Sequence, residues 1–143
     1  MTPSDLLSVA AQFGAPVYVY DAEKITAQYN RLSQAFSQVP SVRLNYAVKA
    51  LNNISILRLM NHLGSGLDTV SIQEVQLGIK AGFDPKNIIF TPNGVSLEEL
   101  EQAAALGVQI NIDNLSLLEQ FGSKHPQIPV CVRINPHVLA GGN

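Results

Sequence analysis

Five short apolar runs begin at residues 42, 66, 87, 108 and 129, so a strand-like segment recurs every 21 to 24 residues along this chain of 143. They are Val42–Ala47, Gly66–Val70, Asn87–Phe90, Val108–Ile112 and Pro129–Ile134. Between them lie stretches with helical spacing of apolar residues, Ile54–Leu63, Ile72–Ala81, Leu97–Leu106 and Leu115–Phe121. Gly64, Gly82, Gly107 and Gly122 fall where a helix needs a left-handed residue to end on. Ser71-Ile-Gln-Glu74 and Ser96-Leu-Glu-Glu99 carry the S-x-x-E pattern that satisfies the first amides of a helix. Alternating strand and helix implies parallel strands joined by right-handed crossovers.

Two architectures satisfy that rule, a (β/α)8 barrel and an open doubly wound sheet. No Gly-x-Gly-x-x-Gly follows the first run, which removes the main pointer to a dinucleotide-binding sheet. Five strands and four helices are too few to close an eight-stranded barrel, which takes about 250 residues. The last run is followed by Ala140-Gly-Gly-Asn143 and no further helix. The expectation is an α/β chain representing the first part of a barrel, truncated after about the fifth strand. The two outer strands, Val42–Ala47 and Pro129–Ile134, would then be unpaired edges that invite self-association.

Residues 1–40 read as a lead-in and 41–143 as the repeating part. In the lead-in, Leu6, Leu7, Val9, Ala10 and Phe13 suggest a helix stopped by Gly14. Val17-Tyr18-Val19-Tyr20 has strand composition, and Asp21 caps a second helix bearing Ile25, Tyr29, Leu32 and Phe36. Hydrophobic residues make up 46% and charged residues 14%, a globular balance. A net charge of −2 gives no electrostatic reason to expect nucleic acid or an anionic membrane as partner. No apolar run approaches the ~20 residues that span a bilayer, and the first residues lack the pattern of a secretory signal. A cytoplasmic protein is expected. The single cysteine, Cys131, lies within Val130-Cys131-Val132 and is expected in the core.

Functional groups of parallel barrels gather at the carboxyl ends of the strands. Those ends read Asn45-Tyr46-Ala47-Val48-Lys49-Ala50, Leu67-Asp68-Thr69-Val70-Ser71, Thr91-Pro92-Asn93-Gly94, Asn111-Ile112-Asp113 and Arg133-Ile134-Asn135-Pro136. A lysine at an apolar strand end is costly if buried, yet burial supplies the neutral amine that attacks a carbonyl. By position alone, a lysine reaching out to solvent is the stronger reading of Lys49.

The motifs, however, resemble a family. Tyr46-Ala47-Val48-Lys49-Ala50 is similar to the pyridoxal-phosphate attachment motif of the alanine-racemase-like barrel enzymes, above all the diaminopimelate and ornithine decarboxylase group. Gly66-Leu67-Asp68-Thr69-Val70-Ser71 with Glu74, then Phe90-Thr91-Pro92-Asn93-Gly94, Ile110-Asn111-Ile112-Asp113 and Arg133-Ile134-Asn135-Pro136 follow in that group's order and spacing. Asn135-Pro136-His137-Val138-Leu139-Ala140-Gly141 resembles the diaminopimelate branch. Val95 stands where the group often has lysine.

The resemblance implies a pyridoxal 5'-phosphate-dependent amino-acid decarboxylase acting on meso-2,6-diaminopimelate to give L-lysine. Lys49 would attach the cofactor, and Asp68 and Arg133 would line its pocket. Glu74 would sit behind them or simply close a capping box. Asn93, Asn111 and Asp113 would support the site or fill turn and cap positions. His62, His125 and His137 show no ligand spacing, and no metal is expected. The rest of the machinery, including a second β-rich domain and residues crossing a homodimer interface, has no match within these residues, so the chain alone is expected to be inactive. Other decarboxylases of ornithine, arginine or carboxynorspermidine, and a non-catalytic pyridoxal-phosphate-binding barrel, are the alternatives.

Overall fold

The structure, a computed structural model, describes residues 1–136. Its contacts cluster into two units, Met1–Val42 and a second beginning at Arg43.

The first unit holds two helices. Helix α1, Pro3–Phe13, starts at Thr2, whose hydroxyl accepts from the Asp5 amide while the Asp5 carboxylate accepts from Thr2 N–H at 2.7 Å. Pro3 costs nothing there because the first helical amide has no partner to lose. Helix α2, Ala22–Ala35, is capped by Asp21 as expected. Val17–Tyr20 forms no strand, and Tyr18 is 89% exposed. Its alternation predicts β-structure, but a strand needs a neighbour's backbone, and the two helices of this unit offer none.

The second unit is a five-stranded parallel sheet: β1 (Asn45–Ala47), β2 (Gly66–Thr69), β3 (Ile88–Phe90), β4 (Gln109–Ile112) and β5 (Val130–Val132). The intervening helices are α3 (Ile54–His62), α4 (Ile72–Ala81), α5 (Leu97–Leu106) and α6 (Leu115–Lys124). Strand order equals sequence order, β1-β2-β3-β4-β5. A doubly wound sheet must reverse its order at a switch point to place helices on both faces. Here the order never reverses, so right-handed crossovers put every helix on the same face, which is the winding of a barrel.

That helix-covered face is the core. Leu67, Thr69, Ile88, Phe90, Ile110 and Ile112 point into it from the strands and meet Leu57, Val75, Leu100 and Phe121 of the helices, all essentially without solvent exposure. The buried Thr69 hydroxyl is satisfied by donating to the Ile89 carbonyl at 2.9 Å. α4 comes close enough that a Cβ on Gly78 would lie 2.5 Å from Leu67 Cδ2. Gly82 and Gly107 end α4 and α5 in the left-handed conformation.

Three further expectations are corrected. Gly122 lies inside α6, which runs on to Lys124 because the His125 amide still reaches the Phe121 carbonyl at 2.8 Å. β1 and β5 are shorter than their apolar runs, each having a neighbour on one side only among the described residues. Cys131 is exposed rather than buried. In β5, Val130 and Val132 align with the core residues Ile110 and Ile112, whereas Cys131 aligns with Asn111 on the opposite face. Alternation turns the middle of the apolar triplet to the opposite face, and at this outer strand Val132 on the helix side is exposed as well.

Candidate active site

The face opposite the helices is polar. Strand alternation and register place Ala47, Asp68, Ile89, Gln109, Asn111 and Cys131 on it, with Thr91 just beyond β3. Parallel sheets are ordinarily covered on both faces. Among the described residues this one is covered on a single face, and its other face ranges from half-buried to exposed.

Lys49 stands in a 3-10 turn, Val48–Ala50, directly after β1. Val48 is fully buried and anchors the turn. The Tyr46 hydroxyl donates to the Leu51 carbonyl at 3.1 Å, and the Asn53 side chain caps α3 by accepting from the Ser55 amide at 2.9 Å. The segment carrying Lys49 is thus tied at both ends while Lys49 itself is exposed. The burial that sequence position suggested for this lysine is not supplied by the described residues.

Asp68 lies in β2 beside the end of β1, paired with Ala47. Its Oδ1 accepts from the Thr91 hydroxyl at 3.0 Å, and Thr91 Oγ1 accepts from Asn111 Nδ2 at 3.0 Å. Arg133 continues the ladder beyond β5, its amide donating to the Ile112 carbonyl at 2.9 Å. It is exposed and, with Asp113, Asn114 and Asn135, lines a cleft of about 320 Å³ at the same end of the sheet. Lys49 and Asp68 therefore stand on adjacent strands, and Arg133 on the far strand of the same rim.

Glu74 is placed differently. Ser71 accepts from the Glu74 amide, but the Glu74 carboxylate accepts from Val70 N–H at 2.8 Å, one residue earlier than a regular capping box. It fixes the link from β2 to α4. Asn93 and Asp113 are exposed at the strand ends, and Asn114 rather than Asp113 caps α6. Of the histidines, His62 is in the last turn of α3 and His125 packs on Phe121 with Nε2 3.1 Å from Glu101. His137, and the Val138 to Gly141 part of the motif around it, lie outside the described residues. Thr91 is the residue that strand-end reading undervalues: it opens the third strand end with no role of its own, yet its place two residues beyond Ile89 puts it on the polar face.

Residues 22–142 match the model of the pyridoxal-dependent decarboxylase family's pyridoxal binding domain. The chain belongs to that family. Diaminopimelate decarboxylase of Methanothermobacter thermautotrophicus is 38% identical over 140 residues, covering 96% of this chain and 33% of that protein. The enzyme of the same name from Escherichia coli K12 is 36% identical over 140 residues, 95% of this chain and 32% of that protein. Diaminopimelate decarboxylase from Helicobacter pylori, solved with L-lysine, superposes with a TM-score of 0.80 at 34% identity, covering 96% of this chain and 35% of that one. Lysine/ornithine decarboxylase from Vibrio vulnificus, solved with cadaverine, gives 0.83 at 28% identity over 95% of this chain and 36% of that one. The chain spans about a third of the length of the curated relatives it matches.

The cofactor of the family is pyridoxal phosphate, and the polar face suits it. An aldehyde-bearing phosphorylated ring needs an accessible amine, a cation and hydrogen-bonding groups on one surface. Lys49 offers an exposed amine on an anchored turn, Arg133 an exposed guanidinium, and Asp68 a carboxylate with one oxygen already held.

Proposed function

We propose that this chain is the pyridoxal-binding part of a diaminopimelate decarboxylase, which removes carbon dioxide from meso-2,6-diaminopimelate and leaves L-lysine. The observation that carries the proposal is that 36–38% identity to proteins of that name extends over 95% or more of the chain while Lys49 is anchored and exposed at a strand end. When bound, the cofactor's conjugated ring accepts the electron pair released as the carboxylate departs.

The chain's own residues would act as follows. Lys49 tethers the cofactor through its amine, and the buried Val48 beside it keeps that tether at a fixed height above the sheet. Asp68, on the neighbouring strand, presents an acceptor. Arg133, across the rim, offers a fork of donors in a plane. Glu74 holds the turn after Asp68 in place.

We infer that these residues bind the cofactor but do not turn over substrate by themselves. Cofactor sites bury most of their ligand, and here the polar face is open to water. A homodimer and a cytoplasmic setting for the whole protein belong to the same proposal.

The test is to incubate the purified chain with pyridoxal phosphate, reduce with borohydride and map the modified peptide. The label should sit on Lys49 and vanish in Lys49→Ala. A label spread over the surface lysines, unchanged by that substitution, overturns the assignment. Carbon dioxide release from meso-diaminopimelate by the chain alone, abolished by Lys49→Ala, would falsify the inactivity. Ornithine or lysine as substrate is the second reading, favoured by the likeness to the Vibrio vulnificus enzyme. Comparing the three amino acids with the full-length protein separates the two readings.

A further inference from the structure

Gln109, Asn111, Thr91 and Asp68 form a hydrogen-bonded row across three neighbouring strands. Gln109 Nε2 donates to Asn111 Oδ1 at 3.4 Å, Asn111 Nδ2 donates to Thr91 Oγ1 at 3.0 Å, and Thr91 Oγ1 donates to Asp68 Oδ1 at 3.0 Å. The register makes this possible: Ile89 pairs with Asp68 on one side and Gln109 on the other, so Thr91 and Asn111, each two residues on, share their face.

The direction of the row follows from chemistry. A threonine hydroxyl has one proton and an ionised carboxylate can only accept. Because the Asn111 amide group already donates to Thr91 Oγ1, the hydroxyl proton must turn toward Asp68. Every donor in the row therefore points the same way and the row ends on the carboxylate. An aspartate at a strand end otherwise rotates about two side-chain bonds, and ordering it costs conformational entropy. Here that order exists before anything binds.

We infer that Thr91 and Asn111 are positioning residues. They hold Oδ1 of Asp68 so that its other oxygen is presented in one orientation to a hydrogen-bond donor on the cofactor or substrate. This rests on the proposed cofactor site for its purpose, but not for its existence.

Two measurements keep those apart. In the chain without cofactor, the carbon resonance of the Asp68 carboxyl is followed by NMR in the wild type, Thr91→Val, Thr91→Ser and Asn111→Asp. Valine keeps the shape and removes the hydroxyl, serine keeps the hydroxyl, and aspartate at 111 replaces the amide donor with an acceptor that competes for the Thr91 proton. The resonance should move in Thr91→Val and Asn111→Asp and return with Thr91→Ser. If Thr91→Val leaves it at the wild-type position while the backbone spectrum shows a folded chain, the row does not control Asp68 and the inference is overturned.

The second measurement is the dissociation constant for pyridoxal phosphate, with circular dichroism of the bound chromophore. Thr91→Val should weaken binding about tenfold, the scale of one hydrogen bond to a charged group, and reduce the induced signal, with Thr91→Ser near wild type. Unchanged affinity and signal in Thr91→Val, when the wild type does bind at Lys49, overturns the positioning role. A wild type that forms no Lys49 adduct refutes the cofactor assignment instead, and the NMR comparison still decides whether the row orders Asp68.

Discussion

Gly78 is where α4 lies close against the sheet, and Gly78→Ala tests the packing directly. Two effects oppose each other. Alanine is favoured over glycine in a helix interior by about 1 kcal/mol, because it has less backbone freedom to lose. Against this, the new methyl would lie 2.5 Å from Leu67 Cδ2 and 3.2 Å from Ile88 Cδ1. Ordinary carbon contacts start near 3.5 Å, so Leu67 or the helix must yield by about 1 Å. Leu67 and Ile88 are both fully buried, and forcing a methyl into a filled core costs about 1–3 kcal/mol. The clash wins, and Gly78→Ala should lose about 1 kcal/mol in a urea titration. The same substitution in a Leu67→Val background, where the offending methyl is gone, should be neutral or stabilising. A stabilised single variant, or an equal loss in both backgrounds, refutes this account of the packing.

Glu101 provides a pH prediction. The His125 ring and then the Lys124 ammonium, each 3.1 Å away, hold its carboxyl below the usual value of 4.5. A depressed folded value stabilises the fold above the unfolded value, and that contribution is lost as pH falls through the folded one. Glu101→Gln should therefore flatten the fall in stability below about pH 4.5, read by thermal unfolding at a series of pH values. The pair is solvent-exposed, so 1 M salt should shrink the difference. Cys131 is exposed on the polar face, so a neutral thiol reagent should label it in the native chain at close to the rate for the denatured one. Strong native protection would place it back in the core.

The repeat was legible because each βα unit writes its own punctuation. Ser96 and Glu99 form the full reciprocal cap, and Gly82 and Gly107 end their helices as their positions require. Where the sequence misled, the cause was non-local. Val17–Tyr20 has every local property of a strand, but pairing depends on a neighbouring backbone that no local pattern reveals. Val130-Cys131-Val132 is apolar throughout, and only its register with β4 says which residue faces away from the helices. The candidate site was legible as a set of strand ends. Lys49 and Asp68 could be named from motifs, but the bonds through Thr91 and Asn111 required the register of three strands at once.

The opposite characters of the two sheet faces separate tasks at the smallest possible interval. In β2, Leu67 and Thr69 are sealed against the helices while Asp68 between them faces outward. Adjacent residues thus meet different surroundings, one the packed helices and the next the polar face of the proposed cofactor site. Changes at Asp68, Thr91 or Asn111 need not disturb the packing, and the outward set is free to diverge among substrates on an unaltered scaffold. The weakness is equally local, since a slip of one residue in β2 would turn the carboxylate inward and a leucine out.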